Sequence, residues 1–402
     1  MRIMYLTQWF DPEAGVFKGL RFARALQAAG HEVTVVTGFP NYPGGKLYPG
    51  YRLRPLMRET IDGVRVVRLP LYPSHDSSWL RRSLNYLSFF LSALAYGLFR
   101  RQRFDLAYVY HPPITVGLAA GLAGLVRPLP LVLDIQDLWP DTMPATGMIK
   151  AAGAMRLLDL MCRVVYRRAS VIVVQSEGMR RALIDRGVPG AKITTVRNWA
   201  GVEPASEPAA RPMPSGGFDV VYGGNLGRAQ ALETVIDAAA IIERGRQDIR
   251  VHLYGAGVDA ASLQARAAQL GVTAVRFHPR IPPAEIRPIF AQADALLLHL
   301  ADDPLFAITI PSKTQVYLAM GRPIVAGIAG EAAELLQQSG AALIAPPGNP
   351  QALAQAICAL ADMPLQQREA MGQAGARFYR ENLSFERAMD QTLAVLQGAR
   401  AR

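Results

Sequence analysis

The sequence predicts an α/β protein of two doubly wound, Rossmann-like domains. Three observations carry that prediction. The chain has 402 residues, 50% hydrophobic and 19% charged, which is enough apolar content for two cores and too much for a disordered chain. Apolar runs of strand length alternate with helical patterns from the first residues onward. The alternation comes as two series, separated by one stretch that is rich in Pro, Ala and Gly and has no apolar period.

The first series of strand-like runs covers residues 2–9, 32–37, 64–69, 106–110, 131–135, 171–175 and 193–196. Each is nearly continuous in hydrophobic residues, as strands of a parallel sheet covered on both faces must be. Helical patterns fill the gaps, one of them at 18–29 and another at 155–169, where Arg163, Arg167 and Arg168 add positive charge. Residues 200–217 read as the interdomain linker. The second series runs through 218–222, 250–254, 275–278, 295–299, 323–326 and 342–345, and a helical pattern at 384–397 closes the chain. The expected organisation is a first domain 1–199, a linker 200–217, a second domain 218–383 and a terminal segment 384–402.

Composition excludes several classes. Two cysteines, Cys162 and Cys358, lie far apart in sequence, so neither a disulfide framework nor a metal site is predicted. The first residues run straight into a strand pattern without the features of a signal peptide, and a cytoplasmic chain is expected. The formal charge of +11 favours an anionic partner. No helix-turn-helix, RNA-recognition or zinc-finger pattern accompanies the basic charge, which argues against nucleic acid.

Ligands of open parallel sheets bind beyond the carboxyl ends of the strands, so the loops there hold the candidate site residues. Gly15 follows the first strand, where a glycine serves either the turn or a close backbone approach to a ligand. His111 ends the fourth run, before Pro112 and Pro113. The fifth ends in Asp134-Ile-Gln-Asp-Leu-Trp-Pro-Asp141, three carboxylates of which at least one needs a partner or a task. In the second half, Tyr222-Gly-Gly-Asn-Leu-Gly-Arg228 follows a strand and is expected to open a helix, a placement that suits a diphosphate. Gly255 and Gly257 follow the next strand, and Arg280 and Ile281 the one after it. Ser312 and Gln315 have capping-box spacing, Gly321 suits a left-handed stop, and Pro323 forbids continuation. A helix of about two turns beginning at Lys313 therefore offers unpaired N–H groups, a positive dipole end and a cation for a phosphate, or else is an ordinary crossover helix.

Residues 83–99 carry no charge and are bracketed by Arg81 and Arg82 before and Arg100, Arg101 and Arg103 after. Seventeen residues with Ser and Asn among them are marginal for a membrane span. Aromatic residues such as Phe89 and Phe90 with flanking arginines suit a helix in the bilayer interface, so residues 79–103 are predicted to dock on an anionic membrane surface. A helix merely packed on the sheet is the alternative.

Taken in order, Asp134-Ile-Gln-Asp-Leu-Trp-Pro140, Val196-Arg-Asn-Trp199, Tyr222-Gly-Gly-Asn-Leu-Gly227, Tyr254-Gly-Ala-Gly257 and Ile310-Pro-Ser-Lys-Thr-Gln-Val-Tyr-Leu-Ala-Met-Gly-Arg-Pro-Ile324 make the chain resemble the family 4 glycosyltransferases of GT-B fold, over essentially its whole length. The likeness extends to bacterial transferases of O-antigen, capsule and colanic-acid assembly, including those that move N-acetyl-fucosamine. It implies two Rossmann-like domains facing across a cleft, with a final helix crossing back to the first. It also implies retaining transfer from a nucleotide diphosphate sugar, commonly UDP-linked, with no cofactor and no required metal. The acceptor would be a polyprenyl-diphosphate-linked saccharide held by the first domain at the inner face of the cytoplasmic membrane.

By that resemblance the donor contacts would include Gly15, Gly223, Gly224, Asn225, Gly227, Arg228, Gly255, Gly257, Arg280, Ile281, Ser312, Lys313 and Thr314. Lys313 and either His111 or Asp137 would carry the chemistry. The sequence departs from the family at Ile308 and Val316, where many members have glutamates eight residues apart that contact donor sugar and ribose. Asp302, Asp303 or Glu331 are the available substitutes. Two other readings stay open: a nucleotide-sugar epimerase of the same architecture, and a catalytically silent partner in a polysaccharide assembly complex.

Overall fold

The computed structural model of the chain describes residues 1–13, 16–74, 79–141, 152–201 and 216–400. Gly15 and most of the expected linker lie outside them. The chain divides into two compact units, Met1–Val196 with Met389–Arg402, and Arg197–Ala388.

The first unit is built on an eight-stranded sheet, β1 (Arg2–Leu6), β2 (Glu32–Gly38), β3 (Met57–Ile61), β4 (Val64–Leu69), β5 (Leu106–His111), β6 (Leu131–Ile135), β7 (Val171–Val174) and β8 (Ile193–Thr195). Its order is β3-β4-β2-β1-β5-β6-β7-β8, parallel except for β3 against β4. Val, Ile and Leu dominate because both faces are covered: every residue of β5 and β6 is buried. Among the described residues five helices accompany this sheet, α1 (Leu20–Ala28), α2 (Trp79–Phe99), α3 (Ile114–Val126), α4 (Ala152–Arg168) and α5 (Glu177–Asp185). Asp11 accepts from the Leu20 N–H at 2.7 Å to start α1, and the Ser176 hydroxyl accepts from the Met179 N–H at 3.1 Å to start α5.

Strand β3 is absent from the sequence reading. Its residues alternate between half-buried and exposed, Met57-Arg-Glu-Thr-Ile61, as an edge strand does. The signal for it is the Asp62-Gly63 turn, both residues at positive φ (45° and 83°), which joins β3 to β4 as a hairpin.

Order reverses at β1, with β2 on one side and β5 on the other, so the loops after β1 and β5 open onto one crevice. That end of the sheet is pinned by a buried ion pair. Lys18 in the loop after β1 meets Asp134 on β6, both almost wholly buried. The Tyr108 hydroxyl donates to Asp134, lies 3.3 Å from the Lys18 amine, and the Gln136 amide donates to the other carboxylate oxygen at 2.6 Å. Of the three carboxylates, at least one of which is expected to need a partner or a task, Asp134 has its partner in Lys18.

The second unit carries β9 (Phe218–Asn225), β10 (Ile249–Ala256), β11 (Val275–His278), β12 (Ala295–His299), β13 (Ile324–Gly327) and β14 (Ala342–Ala345), in the all-parallel order β11-β10-β9-β12-β13-β14. Its helices are α6 (Glu233–Glu243), α7 (Ala260–Gln269), α8 (Pro283–Gln292), α9 (Pro304–Ala307), α10 (Ser312–Met320), α11 (Glu331–Ser339), α12 (Pro350–Asp362) and α13 (Leu365–Asn382). Val220, Leu253 and Leu297 pack into one core and Val221, Leu296 and Leu298 into another. Alternate residues of the same strands thus fill two layers. The last helix, α14 (Phe385–Arg400), starts in this unit with Phe385 edge-on to Trp199, and from Met389 onward belongs to the first.

Removing Asp134 leaves the Lys18 ammonium buried without its carboxylate, a loss of about 3–5 kcal/mol. Asp134→Ala is therefore expected to lower the urea midpoint strongly, and a Lys18→Met, Asp134→Leu pair to recover a substantial part of it. Equal midpoints for Asp134→Ala and wild type would show that the pair does not hold this end of the sheet.

Candidate functional site

Strand order in the second unit reverses between β9 and β12, and a cavity of about 530 Å³ lies beyond their carboxyl ends. That is the position and size of a small-molecule site in an open α/β sheet. Gly223, Gly224 and Asn225 come from the end of β9, Tyr254 and Gly255 from β10, Arg280 and Ile281 from the loop after β11, and Ser312 and Lys313 from the start of α10. The reverse wall is apolar: Ile286 and Phe290 from α8, Leu298 and Leu300 around the end of β12, and Val316 from α10.

Helix α10 starts at Ser312 rather than Lys313, with Pro311 as its cap in extended conformation and no side chain capping it. The expected capping box does not form. Gln315 is buried, and in the orientation that satisfies its amide it donates to the Pro311 and Ser312 carbonyls at 2.9 and 3.2 Å, leaving the exposed Ser312 hydroxyl at the pocket. At the other end Gly321 adopts the expected left-handed conformation (φ 65°, ψ 32°).

Lys313 folds into the pocket wall. Its amine is 2.5 Å from the Tyr222 hydroxyl and 4.1 Å above the centroid of that ring. Among the described residues no carboxylate lines the cavity, and burial pushes the amine pKa down to about 7. Gly224 is required beside it: φ is +147°, and a Cβ there would stand 2.3 Å from Lys313 Cε. Gly255 is required for the next layer, since its Cβ would meet the Gly224 carbonyl oxygen at 1.9 Å.

The Gly-Gly-Asn stretch differs from expectation. Strand β9 runs through Asn225, and a 3₁₀ turn at Arg228–Gln230 separates it from α6, so no helix opens on the glycines. The Gly223 N–H is already used, donating to the Tyr317 hydroxyl at 3.1 Å. Gln230 reaches the cavity instead, its backbone carbonyl held by His299 Nδ1 at 2.8 Å, which fixes the proton on that nitrogen.

Eight of the donor residues named from sequence line the cavity: Gly223, Gly224, Asn225, Gly255, Arg280, Ile281, Ser312 and Lys313. Gly227, Arg228, Gly257, Thr314 and Glu331 do not. Arg228 is exposed on the 3₁₀ turn, Thr314 is buried on the inner side of α10, and Glu331 is buried 3.8 Å from Arg197. Of the other carboxylates considered, Asp303 caps α9 through the Leu305 N–H at 2.8 Å and Asp302 is exposed away from the cavity.

In the first unit His111 ends β5 fully buried, with neither ring nitrogen hydrogen-bonded, and burial lowers its pKa to about 3. Asp137, three residues after Asp134, reaches solvent. Among the described residues no group of His, Cys, Asp and Glu is placed to hold a metal ion. Gly15 lies outside the described residues.

Arg287 and Tyr254 line the cavity and were missed in the sequence. Pro283, Ile286, Arg287 and Phe290 all line it at helical spacing, a pattern visible once α8 is known to begin at Pro283. Tyr254 stacks on His278 at 4.1 Å and 7°, and His278 in turn meets His252 (3.0 Å), which meets Asp219 (2.9 Å). These partners stiffen one aromatic wall.

Residues 20–199 match the glycosyl transferase 4-like domain and residues 217–363 the glycosyl transferases group 1 domain. The chain is 27% identical over 340 residues to WcaI of Escherichia coli strain K12, named as a colanic acid biosynthesis glycosyl transferase, covering 80% of this chain and 82% of that one. It is 26% identical over 245 residues to the glycosyltransferase WbjE of Pseudomonas aeruginosa, covering 58% and 60%. Among solved structures it is similar to Anabaena HepE in complex with UDP (TM-score 0.68, 16% identity, 99% of this chain and 100% of that one). It is also similar to sucrose-phosphate synthase of Thermosynechococcus elongatus (TM-score 0.70, 17% identity, 100% and 99%). The two matched domains, the paired parallel sheets and these likenesses together show that the chain belongs to the family 4 glycosyltransferases of GT-B fold, enzymes that transfer sugars.

Proposed function

We propose that the chain transfers a sugar, with retention at the anomeric carbon, from a UDP-linked donor to a polyprenyl-diphosphate-linked saccharide during bacterial surface polysaccharide assembly. The observation that carries this reading is the Lys313 amine, set at the start of α10 in a cavity that no carboxylate lines among the described residues, a place suited to an anion. The naming of WcaI for colanic acid biosynthesis and the UDP bound to HepE support the substrate classes.

The chemistry asks little covalent work of the protein. The acceptor hydroxyl bonds to the anomeric carbon as the bond from that carbon to the diphosphate oxygen breaks, and the hydroxyl proton passes to the departing phosphate. Lys313 and the open N–H groups of α10 stabilise the charge that grows on the diphosphate. Arg280 and Ile281 take the base end of the donor and Gly223–Gly224 the side nearest the phosphates. Of the two sequence candidates for the acceptor side, Asp137 reaches solvent and His111 does not, which favours Asp137. The enzyme works peripherally at the inner face of the cytoplasmic membrane, where its acceptor is carried.

The reading is tested by turnover of UDP-, GDP- and dTDP-sugars with and without a short-chain polyprenyl-diphosphate saccharide, followed by mass spectrometry. Acceptor-dependent addition of one sugar is expected; an epimer formed without acceptor, or binding with no chemistry, overturns it. Lys313→Ala is expected to lower turnover at least about tenfold, since a charge-assisted contact to a leaving phosphate contributes more than about 1.4 kcal/mol.

Affinity for UDP carries a pH signature. The empty site holds Lys313 near 7, so its protonated fraction falls from about half at pH 7 to about one part in a hundred at pH 9, whereas a bound diphosphate favours the ammonium. UDP titrates near pH 6 and is constant over that window. Calorimetry is expected to show UDP binding weaken by about tenfold or more from pH 7 to 9, and Lys313→Met to be flat. A wild-type profile as flat as the variant's removes the lysine from the donor site.

A further inference from the structure

Helix α2 is 21 residues long, about 31 Å, and no helix among the described residues is long and apolar enough to cross a membrane. Its inward side holds Asn85, Phe89 and Ala93, all buried. Phe89, expected from sequence to face lipid, therefore belongs to the core, and Phe90 is half-buried. The outward side is one stripe, Leu80, Leu84, Leu87, Leu91, Ala95 and Phe99, at steps of three and four residues. The four leucines and Phe99 are 42% to 81% exposed. Helix α3 lies against α2 and ends in Leu125 and Val126, 60% and 70% exposed. A contiguous apolar face of this kind is unusual on a free surface.

The charge around that face has one sign. From residue 79 to 127 the chain has six arginines and a single carboxylate, Asp105, which Arg2 holds through its backbone N–H (2.7 Å) and guanidinium (2.8 Å). Arg100 and Arg127 follow directly on the ends of α2 and α3. Arg127 donates to the carbonyls of Leu98 and Arg100, and Arg100 to that of Gln102 at 3.0 Å. Among the described residues neither has a carboxylate partner and Arg100 Nε has no hydrogen-bond partner, and burial together with the nearby Arg127 lowers the pKa of Arg100. Arg101 and Arg103 beside them are exposed.

We propose that this face docks on an anionic phospholipid bilayer, with α2 lying flat, its leucine stripe and Phe99 in the headgroup boundary, and Arg100 and Arg127 on lipid phosphates. The leucines supply area and the uncompensated arginines select the headgroup. It deepens the preceding reading by naming the surface through which the enzyme reaches a lipid-borne acceptor, but it stands on residues of the first unit and needs no turnover to be tested.

The test is co-sedimentation of the full chain with phosphatidylcholine vesicles and with vesicles that also contain phosphatidylglycerol. Wild type is expected to bind the anionic vesicles at least tenfold more tightly. Leu84→Ser, Leu87→Ser, Leu91→Ser together should abolish binding, and Arg100→Gln, Arg127→Gln should erase the preference for phosphatidylglycerol. Arg101→Gln, Arg103→Gln should weaken it, as a second charge variant that removes none of the hydrogen bonds described above. An unchanged far-UV circular dichroism spectrum and urea midpoint confirm that each variant is folded, and because no donor is used the result is separate from the fate of the donor reading. Inorganic phosphate at saturating concentration should not release the protein; full release would reduce the arginines to a free-phosphate site and overturn the proposal. Wild type that ignores both vesicles, a leucine variant that binds like wild type, or a wild-type dimer that the leucine variant dissociates would each overturn it as well, the last by showing that a second copy covers the face.

Discussion

An ammonium group that faces no carboxylate is the constraint on which the second unit turns. Lys313 is anchored by the first turn of α10, its stem fills the space that Gly224 leaves empty, and its amine rests on Tyr222. Tyr222 is in turn fixed by donating to the Asn225 carbonyl at 2.6 Å, and Tyr317 on α10 ties back to Gly223 at 3.1 Å. Strand end, glycine and helix start are thus one assembly. The charge itself is supported by neutral hydroxyl and π contacts that do not cancel it. An uncancelled cation at a helix start is stable once an anion arrives, and that makes the cavity a binding site rather than a packing defect.

The first unit uses the same residue type for the opposite end. Lys18 also sits in a loop at the reversal of strand order, yet it is wholly buried and meets Asp134 with Tyr108 and Gln136 completing the carboxylate's shell. A cation cancelled in this way fixes a loop and cannot recruit a ligand. The contrast separates two lysines that look alike by position, and it depends on the partner strand: Asp134 faces Tyr110 across the ladder on β6, whereas the strand ends beside Lys313 present tyrosine, asparagine, glycine and leucine and, among the described residues, no carboxylate.

Much of the fold was legible because buried parallel strands have little freedom of composition. Each of the thirteen predicted runs, read from its dominance by apolar residues, meets a strand, and even the short 193–196 run ends as a three-residue edge strand, β8. Met57–Ile61 escaped because an edge strand with one partner can carry Arg and Glu, and only its Asp-Gly turn betrays it. The cavity was legible at Lys313, Arg280 and the strand-end glycines, where loop position alone restricts what a residue can do. It was illegible where tertiary contacts decide: Gln315 was read as a capping partner but turns inward to two carbonyls, Arg228 was read as a phosphate ligand but sits on a turn, and Arg287 becomes visible only when α8 lies over β9.

Helix α2 inverts the usual arrangement of an amphipathic helix. Its buried side includes Asn85, which accepts from Gln8 at 2.6 Å and donates to the Tyr72 carbonyl at 2.7 Å, and Ser92, which donates to the Pro70 carbonyl at 2.6 Å. Its solvent side is leucine. Hydrophobic burial alone would reward rolling the helix until the leucines faced the sheet, since apolar contacts are non-directional. Hydrogen bonds are directional, and leaving Asn85 unsatisfied in the core would cost about 1–3 kcal/mol. The polar contacts therefore hold the leucine stripe outward in the absence of any partner. The same Asn85 donates to Asn41 at 3.3 Å, and the Asn41 N–H is held by Glu13 at 2.7 Å, so the helix that presents the apolar face is tied through two side chains to the loop after β1. Any force that seats α2 on a surface acts on that loop through a connected set of directional bonds, which is the kind of linkage that fixes orientation rather than merely affinity.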